Sequence, residues 1–178
     1  MKLKTIDLTL CGIFAAVLAV CSWIQIPGAV PFTLQTFAVF AALGLLGGKR
    51  GTITICVYLL LGAFGVPVFA GFKGGLGALF GATGGYLLGF LLSGPCVWFA
   101  EKQFGTSLPV FIVSMILGLL LCYAFGTAWF VVVYTRASGA ISVGKALMLC
   151  VIPFLPFDAI KLALAVVVRQ ALRRYVPA

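Results

Sequence analysis

Residues 108–134 read LPVFIVSMILGLLLCYAFGTAWFVVVY, an unbroken run without a charged side chain. A helix needs roughly 20 apolar residues to cross the hydrocarbon core of a bilayer, so this run is long enough to span it. The rest of the chain has the same character, since 63% of its 178 residues are hydrophobic and only 8% are charged. Globular proteins carry about 25% charged residues. The sequence therefore predicts an all-α integral membrane protein.

Five other apolar runs predict further spans, which together give a six-transmembrane-helix bundle in a single domain. With Leu108–Tyr134, the predicted helices are Leu8–Ile24, Leu34–Gly47, Thr52–Gly65, Gly77–Ala100 and Phe157–Leu172. The second and third are short, which indicates tilting, local thinning of the bilayer, or helices that end inside the protein. Val143–Ile152 is cut off by Pro153 and Pro156, so we expect a partly embedded loop helix there. The first helix is expected to be retained rather than cleaved as a signal peptide, because Asp7 interrupts its basic start.

The lysines and arginines predict the orientation of the bundle, because cytoplasmic loops carry an excess of them. With six spans both termini lie on one side. If that side is cytoplasmic, the inner loops and tails hold Lys2, Lys4, Lys49, Arg50, Lys102, Arg169, Arg173 and Arg174, and the outer loops hold Lys73, Arg136 and Lys145. The imbalance predicts cytoplasmic termini, with basic residues placed to meet membrane lipid head groups. The long Gly- and Pro-rich connections then lie outside.

Several functional classes find no support in the sequence. The net charge of +9 is not clustered as nucleic-acid binding requires, so no nucleic-acid partner is expected. The chain has no histidine and no C-x-x-C pair, which predicts no metal, no cofactor and no catalytic centre, with the six cysteines as small buried hydrophobes. Residues 44–50 read GLLGGKR, one residue short of a nucleotide-binding loop. Any energy that the protein uses must therefore come from a partner or a gradient.

The most informative polar residues are Asp158 and Lys161, in the stretch PFLPFDAIK at residues 153–161. Three positions apart, they share one face of a helix, and Asp158 near its N-terminus is favoured by the helix dipole. Ionisable groups in hydrocarbon cost several kcal/mol unless they are paired or point into a polar cavity. We interpret the pair as a ligand site near the outer end of the last span. The alternative is a structural ion pair.

A glycine-rich stretch, Phe69–Gly77, forms the second candidate region. Gly74 and Gly75 let backbone N–H groups approach a ligand, and Tyr86 offers a ring and a hydroxyl, so this Gly-rich outer loop is either a cover over a site or a connection. The four-residue spacing of Gly77, Gly81, Gly85 and Gly89 predicts a ridge for close helix packing.

Two further pairs have open interpretations. Thr33 and Gln35 stand at the outer end of the second helix, where they can bind a ligand or cap the helix. Ala15 and Ala19, four apart on the first helix, let another helix lie close, either within the bundle or from a partner.

Four stretches together resemble the BioY family, the biotin-specific substrate-binding subunits of energy-coupling factor (ECF) vitamin transporters. They occur in order over most of the chain and are Pro31–Thr36, Gly65–Gly71 with Gly74–Gly77, Gly81–Leu87, and Pro153–Lys161. The resemblance implies a six-helix S component in the bacterial cytoplasmic (inner) membrane that captures biotin from outside. It also implies a transmembrane coupling protein and a pair of cytoplasmic ATPases as partners. The alternatives are a solitary biotin carrier and a membrane scaffold without a ligand.

The resemblance also implies roles for single residues. Asp158 and Lys161 match the family's polar pair, the Gly74–Gly77 segment with Tyr86 matches its ligand cover, and Ala15 with Ala19 looks like its docking motif for the coupling protein. Asp158 can accept the ureido hydrogens of biotin. Lys161 can meet the ureido carbonyl or the carboxylate, for which Arg136 is another candidate. The chain departs from the family pattern at three positions, namely Ala82, Phe157 and the charged Lys73.

Overall fold

The computed structural model describes residues 4–28 and 30–176, and its elements are almost all helical. In chain order they are α1 (Thr5–Trp23), β1 (Gln25–Ile26), β2 (Phe32–Thr33), α2 (Gln35–Ala63), α3 (Leu76–Leu79), α4 (Gly84–Phe104), α5 (Leu108–Ser138), α6 (Val143–Cys150), α7 (Leu155–Leu172) and a 3₁₀ turn (Arg173–Tyr175). The two strands form a small antiparallel hairpin in which Gln25 faces Thr33.

Helix α2 is a hairpin of two antiparallel arms, residues 35–46 and 48–63. Gly47 breaks the helix with φ 79° and ψ 168°, a conformation open to glycine. The side-chain amide nitrogen of Gln35, Nε2, donates to the hydroxyl of Tyr58 at 2.9 Å. A straight helix would separate these two residues by about 34 Å. A Cβ on Gly51 would lie 2.6 Å from the Leu43 side chain, so the arms touch at the turn. The two short helices predicted for this segment are confirmed.

Six long helical segments therefore make up the bundle: α1, the two arms of α2, α4, α5 and α7. By length and composition, α1 and α5 can each cross a membrane, and α6 with α7, bent by 45°, qualifies as one broken span. The 29 residues of α2 also have the length and hydropathy of a span, but the chain reverses at Gly47. The outward surface of α5 exposes Val113, Leu117 and Leu120, which suits a lipid-facing helix. The predicted all-α six-helix membrane bundle is confirmed.

The ends of the helices meet in pairs at one end of the bundle, which we call the basic end. Asp7 of α1 pairs with Arg50 at 3.0 Å, and Glu101 of α4 accepts the Gly48 N–H at 2.6 Å. Arg169 of α7 donates to the Thr106 carbonyl at 2.7 Å. The predicted inner residues gather here, apart from Lys2, which lies outside the described residues.

Helices α4 and α5 pack most closely, through glycines. A Cβ on Gly89 would lie 2.7 Å from the sulfur of Cys122, and one on Gly85 2.3 Å from the Cβ of Trp129. The predicted ridge of four glycines is only half right, because α3 ends at Leu79 and α4 begins at Gly84. Gly77 and Gly81 line the cavity described below and do not continue the packing row. The predicted helix Gly77–Ala100 accordingly starts seven positions later.

The expectation that Ala15 and Ala19 form a docking surface is corrected by their burial. They are 2% and 5% exposed and belong to the core between α1 and α2. The side chains at these positions are small because α2 lies against them, which is the packing alternative. The exposed glycine and alanine of α1 are Gly12 and Ala16.

Candidate functional site

A cavity of about 590 Å³ lies at the end of the bundle opposite the basic end. This size falls in the usual range for small-molecule sites, roughly 300–1,000 Å³. Its walls come from the β1–β2 region, the start of α2, the segment that runs from the α2–α3 loop through α3 to the start of α4, the middle of α5, the end of α6 and the start of α7. Apolar groups predominate, and a few polar side chains converge on the space. Of the sequence-predicted residues, it brings together Asp158, Lys161, Tyr86, Gly74 and Gln35.

Asp158 and Lys161 lie on the cavity side of α7, one turn apart. The ammonium nitrogen of Lys161 is 2.7 Å from Oδ1 of Asp158, and the two residues are 4% and 3% exposed. Pro156 occupies the first turn of α7, where its missing N–H costs nothing, and the nearby helix N-terminus favours the carboxylate. The predicted shared face is confirmed, and both side chains border open space as well as each other.

Tyr123 of α5 completes this polar cluster and was not foreseen. Its hydroxyl donates to Oδ2 of Asp158 at 2.5 Å. The one signal in the sequence was a phenol in the middle of an apolar run, since a buried tyrosine hydroxyl needs a partner. Asp158 is therefore held from two helices, at both of its oxygens.

Phe32 of β2 supports Lys161 from the other side. The ammonium lies 4.3 Å from the centre of the Phe32 ring, within the range of a cation–π contact. Phe154 stacks on that ring at 5.8 Å and Phe157 meets it edge-on at 4.7 Å. The departure at Phe157 thus has a structural role, because its ring fixes the aromatic face beneath Lys161.

The remaining polar side chains are partly engaged with each other. Tyr86 is hydrogen-bonded through its hydroxyl to Thr127 at 2.9 Å. Gln35 donates to Tyr58, and Tyr58 donates to the Val68 carbonyl at 3.0 Å. The hydroxyl of Thr33 accepts the Gln35 N–H at 3.2 Å, one position before Leu34, the N-cap residue of α2, and Thr33 also lines the cavity.

The glycine-rich loop, which connects α2 to α3, lines part of the cavity through Phe69, Ala70, Lys73 and Gly74. Phe69 and Lys73 pair through two backbone hydrogen bonds, of 2.9 and 3.3 Å. The chain turns between them through Gly71 at φ 71° and Phe72 at φ 56°. Phe72 stacks on Trp23 of α1 at 5.0 Å, and the Trp23 indole donates to the Pro67 carbonyl at 2.9 Å. These contacts hold the loop against the C-terminal end of α1.

Two predicted site residues lie outside the cavity lining. Gly75 adopts φ 87° and donates its N–H to the Gly62 carbonyl at 2.6 Å, so it shapes the loop behind the lining. Arg136 is exposed in the last turn of α5, beyond the cavity wall. Among the described residues no three His, Cys, Asp or Glu side chains gather as metal ligands would.

Known proteins resemble this chain in sequence and in fold over nearly its whole length. The family model "BioY family" matches residues 1–178. A biotin transporter BioY of Thermotoga maritima is 43% identical over 92% of this chain and 93% of its own length. A probable biotin transporter BioY of Pyrococcus horikoshii is 36% identical over 96% and 98%. A crystal structure of the S-component for biotin from an ECF-type ABC transporter superimposes with a TM-score of 0.81 at 29% identity, covering 94% of this chain and 90% of that one. The chain belongs to the BioY family.

Proposed function

We propose that this chain is a biotin-binding S component that takes up biotin from the outer face of a bacterial cytoplasmic membrane and delivers it inward with an ATP-driven coupling module. The observation that carries the proposal is the cluster of Asp158, Lys161 and Tyr123 facing a cavity of about 590 Å³. The names of the relatives supply the identity of the ligand. Residues 1–178 then act as one transmembrane substrate-binding domain.

The polar cluster suits the ureido ring of biotin, which carries two N–H donors and one carbonyl acceptor. A carboxylate has about four acceptor positions, of which Lys161 and Tyr123 occupy one on each oxygen of Asp158, so acceptors remain for ureido hydrogens. An ammonium has three donors, and Lys161 uses one on Asp158. Tyr86, Leu87 and Phe90 form the apolar wall for the thiophane ring. Each polar group of the ureido ring thereby meets a partner.

Delivery across the membrane requires partners, namely a transmembrane coupling protein and two cytoplasmic ATPases. The basic end of the bundle is the cytoplasmic side in this proposal, since it carries most of the lysines and arginines. Docking then uses the exposed side of α1, where Gly12 and Ala16 leave the helix backbone accessible to a neighbouring helix.

The direct test is titration calorimetry of the purified protein in detergent with biotin. The expected result is saturable binding with a stoichiometry near one and no binding to Asp158→Asn, while Arg136→Gln, outside the cavity, binds as the parent does. A well-folded parent protein that does not bind biotin would overturn the ligand assignment. Uptake by liposomes that contain this chain alone would favour the solitary carrier over the ATP-driven module.

A further inference from the structure

The charges around the cavity do not balance. Of the described lining residues, three are charged: Lys73, Asp158 and Lys161. Asp158 and Lys161 neutralise each other across 2.7 Å. One positive charge is left over, on Lys73. A cavity with a single uncompensated cation favours a ligand with a single negative charge.

Lys161 and Arg136 are poorly placed to neutralise such a charge. Lys161 is 4% exposed and is already held between the Asp158 carboxylate and the Phe32 ring. Arg136 is exposed at the end of α5 and does not line the cavity. Of the charged lining residues, Lys73 on the glycine-rich loop is therefore the one left to neutralise a negatively charged ligand.

The backbone of Lys73 is fixed, while its ammonium stays available. Its N–H and carbonyl both bond to Phe69, and the neighbouring Phe72 is stacked on Trp23, so the start of the side chain is anchored at the cavity rim. The side chain is exposed, and within residues 4–28 and 30–176 its ammonium makes no hydrogen bond or ion pair. A lysine stem is long and flexible, so this ammonium can follow a carboxylate at the mouth of the cavity.

We propose that Lys73 is the residue that selects for the anionic form of the ligand, by pairing with its carboxylate while Asp158, Lys161 and Tyr123 hold the uncharged polar ring. The inference rests on the proposed function, with biotin as the ligand. It assigns the two ends of the molecule to opposite parts of the site: the ring to the α5–α7 wall and the carboxylate to the glycine-rich loop. The extra charge at Lys73 is then a specificity device of this chain.

The test compares biotin with biotinamide, which has the same ring and chain but no charge. The parent protein is expected to bind biotin about two- to fivefold more tightly than biotinamide, a modest ratio because the Lys73 side chain is exposed. Lys73→Gln should weaken biotin binding by about the same factor, leave biotinamide binding unchanged, and so remove the preference. Lys73→Arg should restore it. Lys145→Gln, an exposed outer lysine outside the cavity, is the matched control and should keep the preference of the parent.

Two results are separable. If Lys73→Gln binds both compounds but still prefers biotin as the parent does, the role of Lys73 is overturned and the biotin assignment stands. If the folded parent protein binds neither compound, the proposed function itself fails. Unchanged biotinamide binding by Lys73→Gln also serves as the check that this variant is folded.

Discussion

The hydroxyl of Tyr123 on α5 donates to Oδ2 of Asp158 on α7 at 2.5 Å, while Lys161 occupies Oδ1 of the same carboxylate. Two helices therefore hold one carboxylate at both oxygens before any ligand arrives. A carboxylate fixed in this way loses little freedom when it accepts ligand hydrogens, which favours tight binding.

Removing the Tyr123 hydroxyl is expected to weaken biotin binding without unfolding the bundle. Hydrogen bonds to charged groups are worth about 1.5–3 kcal/mol, and this one forms before the ligand binds, so Tyr123→Phe should lower the free energy of unfolding by about that amount. It should also raise the Kd for biotin, because the Asp158 carboxylate is then less firmly oriented for the ligand. Tyr134→Phe is the matched control, because Tyr134 lies on the same helix and does not line the cavity. Calorimetry on both variants tests the expectation. Equal affinities for the two would contradict a positioning role for Tyr123.

Breaking the buried ion pair should cost stability as well as binding. Asp158→Asn leaves Lys161, 4% exposed, without a counter-charge, and such losses cost about 3–5 kcal/mol. The double variant Asp158→Asn with Lys161→Met should recover most of the thermal stability, since replacing both partners is often neutral. It should still not bind biotin. A double variant that binds biotin normally would support the purely structural interpretation of the pair.

Replacing Glu101 should lower the stability of the protein and leave its affinity for biotin unchanged. It accepts the Gly48 N–H at the turn of the α2 hairpin, at the basic end of the bundle, far from the cavity. Glu101→Ala is expected to lower the free energy of unfolding by about 1–3 kcal/mol and to leave the biotin Kd within about twofold. The neighbouring exposed Lys102→Ala should change neither quantity. A large loss of affinity in Glu101→Ala would show coupling between the two ends.

The glycines of the bundle should respond oppositely to the same substitution. Gly89→Ala places a methyl group 2.7 Å from the Cys122 sulfur and should destabilise the protein by about 1–3 kcal/mol. Gly12→Ala on α1 meets nothing within 4 Å and should stabilise it by about 0.5–1 kcal/mol through helix propensity. Unfolding in mixed detergent measures both. Similar effects for the two would argue against close α4–α5 packing.

The exposed side of α1 should matter for transport and not for binding. Ala16→Leu places a bulky side chain where the proposed coupling protein docks, so ATP-driven uptake in reconstituted complexes should fall while biotin affinity stays unchanged. Ala163→Leu, an exposed alanine on α7, is the control. Normal uptake by Ala16→Leu would move the docking surface elsewhere.

Helix number, helix type and the Asp158–Lys161 face could be predicted from the sequence, because apolar run lengths and three-residue spacing are local properties. The two short helices on either side of Gly47 could be predicted for the same reason. The roles of Ala15 and Ala19 could not be resolved, since a small residue suits a neighbour inside or outside the bundle equally well. Which side of α1 meets α2 depends on contacts distant in the sequence.

The partners of Asp158 illustrate the same limit within the site. Tyr123 lies 35 positions away on another helix, so no local pattern connects them. Phe32 and Lys161 likewise meet only through the fold. The predicted glycine row ends at Gly81 because non-helical residues between α3 and α4 interrupt a spacing that looks continuous in sequence.

The α2 hairpin has a consequence for how the protein is made. Its arms, residues 35–46 and 48–63, measure only about 18 and 24 Å, less than the hydrocarbon thickness of roughly 30 Å. Within the bundle, 72% of its most apolar stretch is buried. Neither arm is therefore long enough to form a stable span on its own in lipid during synthesis. We expect α1 to insert into the membrane first. The hairpin should become stable only when α4 and α5 pack around it, so that insertion and folding of this chain are one process.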